Sequence, residues 1–413
     1  MHPDSLTQKN KTISQDAIFE FLLLVLSCLH IIYGLFSISM WIMLAILFFV
    51  TVISRHFKLS IEGCIKYWWM FTIWEIIGVA YTNDMTYAIG YVLKIVILVF
   101  TLSYNIREEK YDSLLIALRT IVFVWISTIL LEVAFPSQIG HIRTSLSTSS
   151  ENWLANIDRA IAMLGTKYGI FSDPAVSAFF CACGVGIGIS FLVENKKLKG
   201  WGWIVFSAIG IVLTNKRGPM LSVAVSSGIL YLLRSSQTIK KKLGRTAVLG
   251  TVIALGVFFF IYNDTLSSWF ARVNSNIYSN RNRLGLYTTL YQNFINHPFL
   301  GSGTKSTRIL LNGSDGHNIY LAALSENGVL GLVLLLIAFV SSLKDTVNVM
   351  RYEDVYKQSD SSGVITYCLF MQLYIVCYGM TGNPMTTIYS LAMYFMCLGI
   401  PLRKYRLLRT KTY

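Results

Sequence analysis

The chain has 413 residues, of which 54% are hydrophobic and 14% are charged. Soluble globular proteins carry charges on about a quarter of their residues, so this composition argues against a soluble enzyme, a disordered chain and a disulfide-rich secreted scaffold. The formal net charge is +14. In a soluble protein such an excess would indicate nucleic acid as a partner, whereas in a membrane protein it can mark the loops that stay in the cytoplasm.

Apolar stretches recur along the whole chain. A membrane-spanning helix needs roughly 20 mostly apolar residues, and about twelve stretches qualify. They lie near residues 17–35, 37–54, 62–82, 85–104, 113–135, 171–193, 201–215, 218–234, 246–263, 323–343, 363–380 and 386–402. The sequence therefore predicts an all-α fold, a polytopic integral membrane protein of about 12 transmembrane helices. Residues 1–413 would form a single transmembrane domain.

Lysine and arginine are concentrated in alternate loops. The loops rich in these residues are 1–16, 55–60, 105–112, 194–200, 235–245, 344–362 and 403–413. By the positive-inside rule these loops are cytoplasmic, and both termini are cytoplasmic with them. The opposite side then carries a smaller outer loop at 136–170 and a large, partly helical periplasmic loop at 264–322. Loops of this length are usually functional or disordered, and we expect the larger one to be catalytic.

Basic residues on the outer side are the anomaly in this pattern. Lys216 and Arg217 lie in a very short external turn, where positive charges are normally avoided. The turn is either an exposed helix cap or an anion site, and arginine suits phosphate because its planar fork donates two parallel hydrogen bonds. Arg281 and Arg283 precede an amphipathic run in the large loop. Arg283 lies one helical turn before Tyr287, so both side chains could face one ligand, or both arginines could be solvated.

A turn at 296–303 follows this run. It contains His297, a proline, and Gly301 and Gly303, which permit close approach of the backbone to another element. We expect the turn to have a structural role near the site. Lys305 is the next cation along the chain and a candidate for substrate binding.

His317 lies where the large loop enters the next span. A neutral imidazole can accept a proton from a hydroxyl group near neutral pH, so His317 is a candidate general base. A structural histidine is the alternative, and His297 and His141 are competing candidates for the base. Glu326 lies nine residues further on, about half a helical turn out of phase, so a structural or hydrogen-bonding role is expected for it.

Metal and cofactor motifs are not found in the sequence. The large loop holds only Asp264 and Asp315 as carboxylates, and a hard divalent ion usually needs a cluster of them. The seven cysteines lie in or beside apolar stretches, which argues against a disulfide framework or a zinc site. Within the membrane, Glu75 and Lys94 are predicted at similar depth, and we expect them to form an interhelical pair.

The order of these residues resembles that of the O-antigen polymerase and O-antigen ligase superfamily of bacterial envelopes. The features that carry the resemblance are Arg217-Gly218, Arg283 with an aromatic residue four positions on, the 296–303 turn, His317-Asn318, Glu326 and Gly328. The resemblance covers about residues 170–335, including Phe171–Ala175, and the first 135 residues match only in hydropathy. Lys216 and Tyr287 depart from the residues usual in that superfamily, without loss of a charge.

The resemblance implies a metal-independent glycosyltransferase of the bacterial inner membrane that needs no cofactor. Its partners would be undecaprenyl-diphosphate-linked oligosaccharides as donor and acceptor, membrane lipid and a chain-length regulator protein, with no nucleic acid. His317 would be catalytic. The implied substrate-binding residues are Arg217, Arg283, Arg281, Asn318, Tyr287 and Lys305. The residues implied to be structural near the site are Glu326, Gly301, Gly303 and His297.

Three functions are compatible with the sequence. The preferred one is an O-antigen-type polymerase, because the outer loop is compact and lacks an additional basic patch for lipid A phosphates. The second is an O-antigen ligase, which transfers the polymer to the lipid A core. The third, from a different class, is a carrier or flippase for lipid-linked oligosaccharides, which would need charges deep in the membrane rather than at one face.

Overall fold

A computed structural model describes residues 61–103, 112–146, 166–170, 174–234, 277–313, 316–356 and 359–411. All regular secondary structure in these ranges is helical. The helices there are α1 (Ile65–Val79), α2 (Met85–Ser103), α3 (Asp112–Ala134), α4 (Pro136–Leu146), α5 (Pro174–Val193), α6 (Lys197–Leu213), α7 (Arg217–Arg234), α8 (Ile277–Asn296), α9 (Thr307–Leu310), α10 (Ile319–Tyr356), α11 (Ser359–Tyr378) and α12 (Ile388–Lys411). The predicted spans near 17–35, 37–54 and 246–263 lie outside the described residues.

Several of these helices have the length and composition of membrane spans. Within the described ranges, three helices are long and apolar enough to cross a membrane, at Leu115–Ala134, Pro174–Val193 and Ile319–Glu353. Two shorter apolar helices occupy Met85–Phe100 and Ser362–Tyr378. The all-helical, apolar architecture predicted from composition is therefore confirmed in outline, and the number of spans stays a prediction.

Local sequence signals explain where two of the helices begin and end. α6 ends before Asn215, whose φ of 50° is left-handed and breaks the helix, so α6 and α7 are separate helices. α10 begins earlier than its apolar run predicts because Asn318 caps it. The side-chain oxygen of Asn318 accepts hydrogen bonds from the backbone N–H groups of Tyr320 and Leu321, both at 3.0 Å.

The centre of the bundle is formed by α5 and α11, which contact each other, and α11 also packs against α7, α10 and α12. Beside them, Trp68 of α1 joins three helices. Its ring centroid lies 5.6 Å from that of Phe339, 5.4 Å from that of Tyr394 and 4.9 Å from that of Phe395. Such edge-to-face contacts add to the hydrophobic stabilisation of the buried rings. They fix α1 against α10 and α12.

The connections between helices lie at the two ends of the bundle. We call one the outer end, because it carries residues 213–219, 304–313, 316–319 and 378–385, which the charge pattern places outside. Backbone hydrogen bonds tie its loops together, from Lys167 N–H to the Leu213 carbonyl, from Thr304 to Gly78 and from Ile319 to Gly379. The opposite end holds the Cys64 N–H to Asp345 bond, the contacts of Arg234 with Ser362 and Thr366, and the Lys404–Glu353 ion pair.

Candidate functional site at the outer end of the bundle

Arg217 is the first residue of α7 and is exposed at the outer end. The start of α7 is held against the chain that follows α11. A Cβ atom added at Gly218 would lie 2.5 Å from Thr381 Oγ1 and 3.5 Å from Tyr378 Cε2. A larger residue at 218 would have to displace the Thr381 side chain, so the glycine lets the start of α7, and Arg217 with it, lie beside the 378–381 turn.

Arg283 of α8 lies near enough to act on Arg217. Partial burial, and then the positive charge of Arg283, lower the pKa of the Arg217 guanidinium in the outer turn. Arg283 is exposed as well. Two neighbouring cations repel each other, and an anion bound between them would relieve the repulsion. Arg281 also lies in α8, but its side chain is outside the described residues.

His317 lies in the turn before α10 and is half-buried. Its φ of 51° is left-handed, which is uncommon for a residue other than glycine. The hydroxyl of Tyr287 in α8 donates to the His317 carbonyl oxygen at 3.4 Å. Two residues on, the Ile319 N–H donates to the Gly379 carbonyl at 2.9 Å. The histidine therefore sits where α8, α10 and the end of α11 meet, and Arg217 flanks the same end of α11.

Behind this surface, Lys305 is buried and its contacts differ from those expected. Its side-chain nitrogen lies 3.4 Å from Glu326 Oε2 and 4.0 Å from the ring centroid of Tyr91, and the residue is 8% exposed. Burial acts to lower the pKa of Lys305, but Glu326, Tyr91 and Glu75 outweigh it, so the pKa is raised. Lys305 is thus a charged residue of the interior, held by a carboxylate, rather than an exposed cation.

Two buried carboxylates complete this interior cluster. Glu326, 2% exposed, also accepts a hydrogen bond from the Thr307 hydroxyl. Glu75 of α1 accepts from Thr304 Oγ1 at 2.7 Å and from Asn327 Nδ2 at 2.9 Å. The cation that acts most strongly on Glu75 is Lys305, and not Lys94 as expected from the sequence. The expectation was wrong because equal depth does not determine which faces of two helices meet.

The 296–303 turn packs into a break in α10. At Gly328 the φ is 64° and the helix is interrupted, which frees the carbonyl groups of the preceding residues. The turn supplies the missing donors, because Ser302 N–H bonds to the Ser325 carbonyl at 3.1 Å and Gly303 N–H bonds to the Glu326 carbonyl at 2.9 Å. The turn and the broken helix are therefore one structural unit.

Close backbone contact at this break requires glycine on both sides. A Cβ at Gly328 would lie 2.1 Å from the Phe299 carbonyl oxygen, and one at Gly301 would lie 2.2 Å from the Glu326 carbonyl oxygen. Two further hydrogen bonds close the unit. Val329 N–H donates to the Pro298 carbonyl at 2.9 Å, and Trp74 Nε1 donates to the Asn327 carbonyl at 3.1 Å.

Residues 202–336 match the family model described as O-antigen ligase. Over this segment, about a third of the chain, the sequence is similar to the O-antigen ligase and polymerase superfamily. Members of the superfamily are membrane glycosyltransferase-like enzymes. No curated protein matches the chain. The match begins in α6 and ends in α10, so it includes Arg217, Arg283 and His317, and it is common to the polymerase and ligase branches.

Two other residues expected at a site of this superfamily have local contacts in the structure. The side-chain oxygen of Asn318 is engaged as the cap of α10. His297 is exposed at the end of α8, where its ring Nδ1 lies 3.3 Å from the Asn293 carbonyl oxygen and its own carbonyl accepts from Gly301 N–H. These contacts are those of a helix end and a turn.

A second buried polar cluster was not anticipated from the superfamily resemblance. Glu132 of α3 accepts hydrogen bonds from the N–H groups of Tyr168 and Gly169, at 2.8 and 2.7 Å, and pairs with Arg143 of α4 at 2.7 Å. The Arg143 guanidinium also lies 3.7 Å from the Tyr168 ring centroid. Arg143, one of the outer basic residues, thus joins α4 to α3 and to residues 168–169. A glutamate and an arginine flanking Pro136 were the signal in the sequence.

Potential metal ligands are dispersed at this site. In the ranges that the structure describes, no three histidine, cysteine, aspartate or glutamate side chains lie close enough together to hold a metal ion. Asp264 and Asp315, the carboxylates noted in the large loop, lie outside those ranges.

Proposed function

We propose that this protein polymerises undecaprenyl-diphosphate-linked oligosaccharide repeat units into a surface polysaccharide, at the outer face of the bacterial inner membrane. The general function of the superfamily supports a glycosyl transfer at the membrane. The observation that carries the proposal is the meeting of Arg217, Arg283 and His317 at the outer end of the bundle. Arg217 and Arg283 lie exposed at one face, which fits a transferase. The buried charges Lys305, Glu326 and Glu75 are held by one another and by neighbouring polar groups, whereas a carrier would need them along a path.

The proposed mechanism is a direct displacement at the anomeric carbon of the donor. The acceptor hydroxyl forms the new bond to that carbon while the bond to the lipid diphosphate breaks, so the configuration inverts. Arg217 and Arg283 bind the diphosphate and stabilise the negative charge that develops on it as it leaves. His317 accepts the proton of the acceptor hydroxyl.

The separate roles of the arginines and the histidine can be tested with purified protein in nanodiscs. Arg217→Lys and Arg283→Lys keep the charge but lose the two-pronged geometry, so both donor affinity and transfer rate should fall. His317→Ala should leave donor affinity nearly unchanged and lower the transfer rate by roughly a hundredfold or more. Normal transfer by His317→Ala would exclude it as the base.

Matched controls are available in the same region. Arg308 is exposed, and its guanidinium lies 4.0 Å from the Tyr87 ring centroid. Arg308→Lys should therefore retain donor binding. His297→Ala should have a smaller effect than His317→Ala because His297 lies in the turn. If Arg217→Lys and Arg283→Lys behave like Arg308→Lys, the diphosphate assignment is wrong.

The choice between polymerase and ligase is tested by the surface glycans of a deletion strain. Loss of a polymerase leaves single repeat units on lipid A, because ligation continues without elongation. Loss of a ligase leaves lipid-linked polymer and bare lipid A core. The second outcome would assign the ligase reaction to this chain and refute the proposed acceptor.

A further inference from the structure

α8 and the turn after it form a hairpin that descends along the first segment of α10. At the top, Tyr287 bonds to the carbonyl of His317, just before α10 begins. Lower down, Asn293 Nδ2 donates to Ser325 Oγ at 2.7 Å. α8 therefore runs in the same direction as the first segment of α10, from the start of α10 down to the last turn of α1, and the turn 297–303 is the tip of the hairpin.

The tip reaches α10 well below its start. It contacts the break at Gly328, nine residues after Ile319, or roughly 14 Å along the helix axis at 1.5 Å per residue. From there the chain crosses to α1, where Thr304 N–H donates to the Gly78 carbonyl at 3.2 Å. Thr304 also accepts a hydrogen bond from the Thr82 hydroxyl at 2.7 Å, so the tip lies level with the last turn of α1 and below the start of α10.

The backbone of the tip is paired in the way that a hydrocarbon environment demands. Ser302 and Gly303 donate to carbonyls freed by the break in α10, and Pro298 accepts from Val329. The Leu300 carbonyl accepts from the Tyr81 hydroxyl at 2.8 Å. Irregular backbone is tolerated at membrane depth only where its polar groups are satisfied by protein, and these contacts meet that condition.

The side chains of the hairpin are nevertheless apolar on one exposed side. Tyr291, Ile295, Phe299 and Leu300 are all exposed, with exposed fractions of 56% for Ile295 and 71% for Phe299. Thr288, Gln292 and Asn296 form the adjoining exposed side of α8 and are polar. One flank of the hairpin is thus suited to hydrocarbon and the other to water.

The apolar flank continues the surface that the spans present to lipid. The carbonyl of Phe299 packs on Gly328, and the next residues of α10, Val329 and Leu330, are exposed and begin its apolar outward face. On the other side, Leu300 is bonded to Tyr81 at the end of α1, beside the exposed Ile77. A row of exposed apolar residues that continues the lipid-facing surface of the spans is expected to contact lipid as well.

We propose that this hairpin is re-entrant. Its tip is inserted into the outer leaflet, and the stripe of Tyr291, Ile295, Phe299 and Leu300 contacts lipid acyl chains. The inference goes beyond the proposed function and holds whichever acceptor the enzyme uses. Its consequence is that α8, which carries Arg283, is anchored in the bilayer rather than resting above it.

The test uses single cysteines labelled with bimane in nanodiscs that hold one copy of the full chain. Phe299→Cys and Ile295→Cys report on the stripe, and Gln292→Cys is the matched control on the polar side of the same helix. Fluorescence is quenched either by nitroxide-labelled lipid or by aqueous iodide. The unsubstituted chain supplies the background, since its described cysteines are buried apart from the half-buried Cys377.

Labels at 299 and 295 should be quenched severalfold more by lipid nitroxide than the label at 292, and the label at 292 should respond to iodide. Equal iodide quenching at all three positions would overturn the proposal, because the stripe would then face water. Protection of 299 and 295 from both quenchers would overturn it too, because protein would cover the stripe. Two stripe positions keep the test decisive if one substitution impairs folding.

Discussion

Breaking the Lys305–Glu326 pair should destabilise the protein far more than breaking an exposed pair of shorter length. Glu326→Gln leaves a buried ammonium group without its carboxylate. Removing one partner of a buried ion pair costs about 3–5 kcal/mol. The distance of 3.4 Å and the remaining Tyr91 ring place the expected loss near the lower limit, about 3 kcal/mol.

The control for this prediction is the Lys196–Glu194 pair. Its atoms are closer, at 2.8 Å, but the Lys196 side chain is 54% exposed. Lys196→Met should therefore change the free energy of unfolding by less than about 1 kcal/mol. If the distance between the charged atoms rather than their burial determined the loss of stability, Lys196→Met would destabilise the protein more than Glu326→Gln.

The assay is denaturant unfolding in mixed micelles, followed by tryptophan fluorescence. Besides the single variants, the double variant Lys305→Met with Glu326→Gln completes a mutant cycle. The double variant leaves no unpaired charge in this pair. Its loss of unfolding free energy should therefore be smaller than the sum of the two single-variant losses by about 1.5 kcal/mol or more. Additive losses, or a Glu326→Gln variant as stable as the parent, would refute the account of this cluster.

Four other outcomes are expected. Gly328→Ala should destabilise the protein by about 2 kcal/mol or more, because the backbone there is left-handed and a Cβ has no space. Gly285→Ala is the control, since a Cβ there meets open space, and it should leave the stability unchanged in parallel unfolding curves. Asn318→Ala should cost about 1 kcal/mol in the same assay as the cap of α10 is lost. Glycosyl transfer should survive exhaustive chelation, and loss restored by magnesium would contradict this. Reporter fusions at residues 242 and 310 should give opposite signals, since the first is predicted to be cytoplasmic.

The helices could be predicted because apolar content is a local property. The long apolar runs of α5 and α11 are visible in the sequence. Their burial inside the bundle does not follow from it, because α3 is similarly apolar and is much less buried than α5. The extension of α10 to Tyr356 could not be read from hydropathy, because the helix continues through polar residues beyond the apolar run. A helix boundary depends on caps and neighbours as well as on composition.

The site was less accessible to prediction. The resemblance led to Arg217, Arg283 and His317 together, but their proximity depends on how four helix ends meet. The resemblance implies substrate binding for Lys305, and this role stays a prediction, but the burial of its side chain was not expected. Its burial depends on the break at Gly328, and a single glycine within an apolar span gives no local sign of one.

The contacts of Glu75 also constrain how the protein assembles during synthesis. Thr304 and Asn327, which hold its carboxylate, are 229 and 252 residues further along the chain. α1 therefore leaves the translocation machinery long before either partner exists, and a charged side chain within an inserting helix costs about 3 kcal/mol until it is satisfied. A nascent chain that stops before residue 304 lacks both of these partners of Glu75, so the last third of the chain is needed to complete the surroundings of the first described helix.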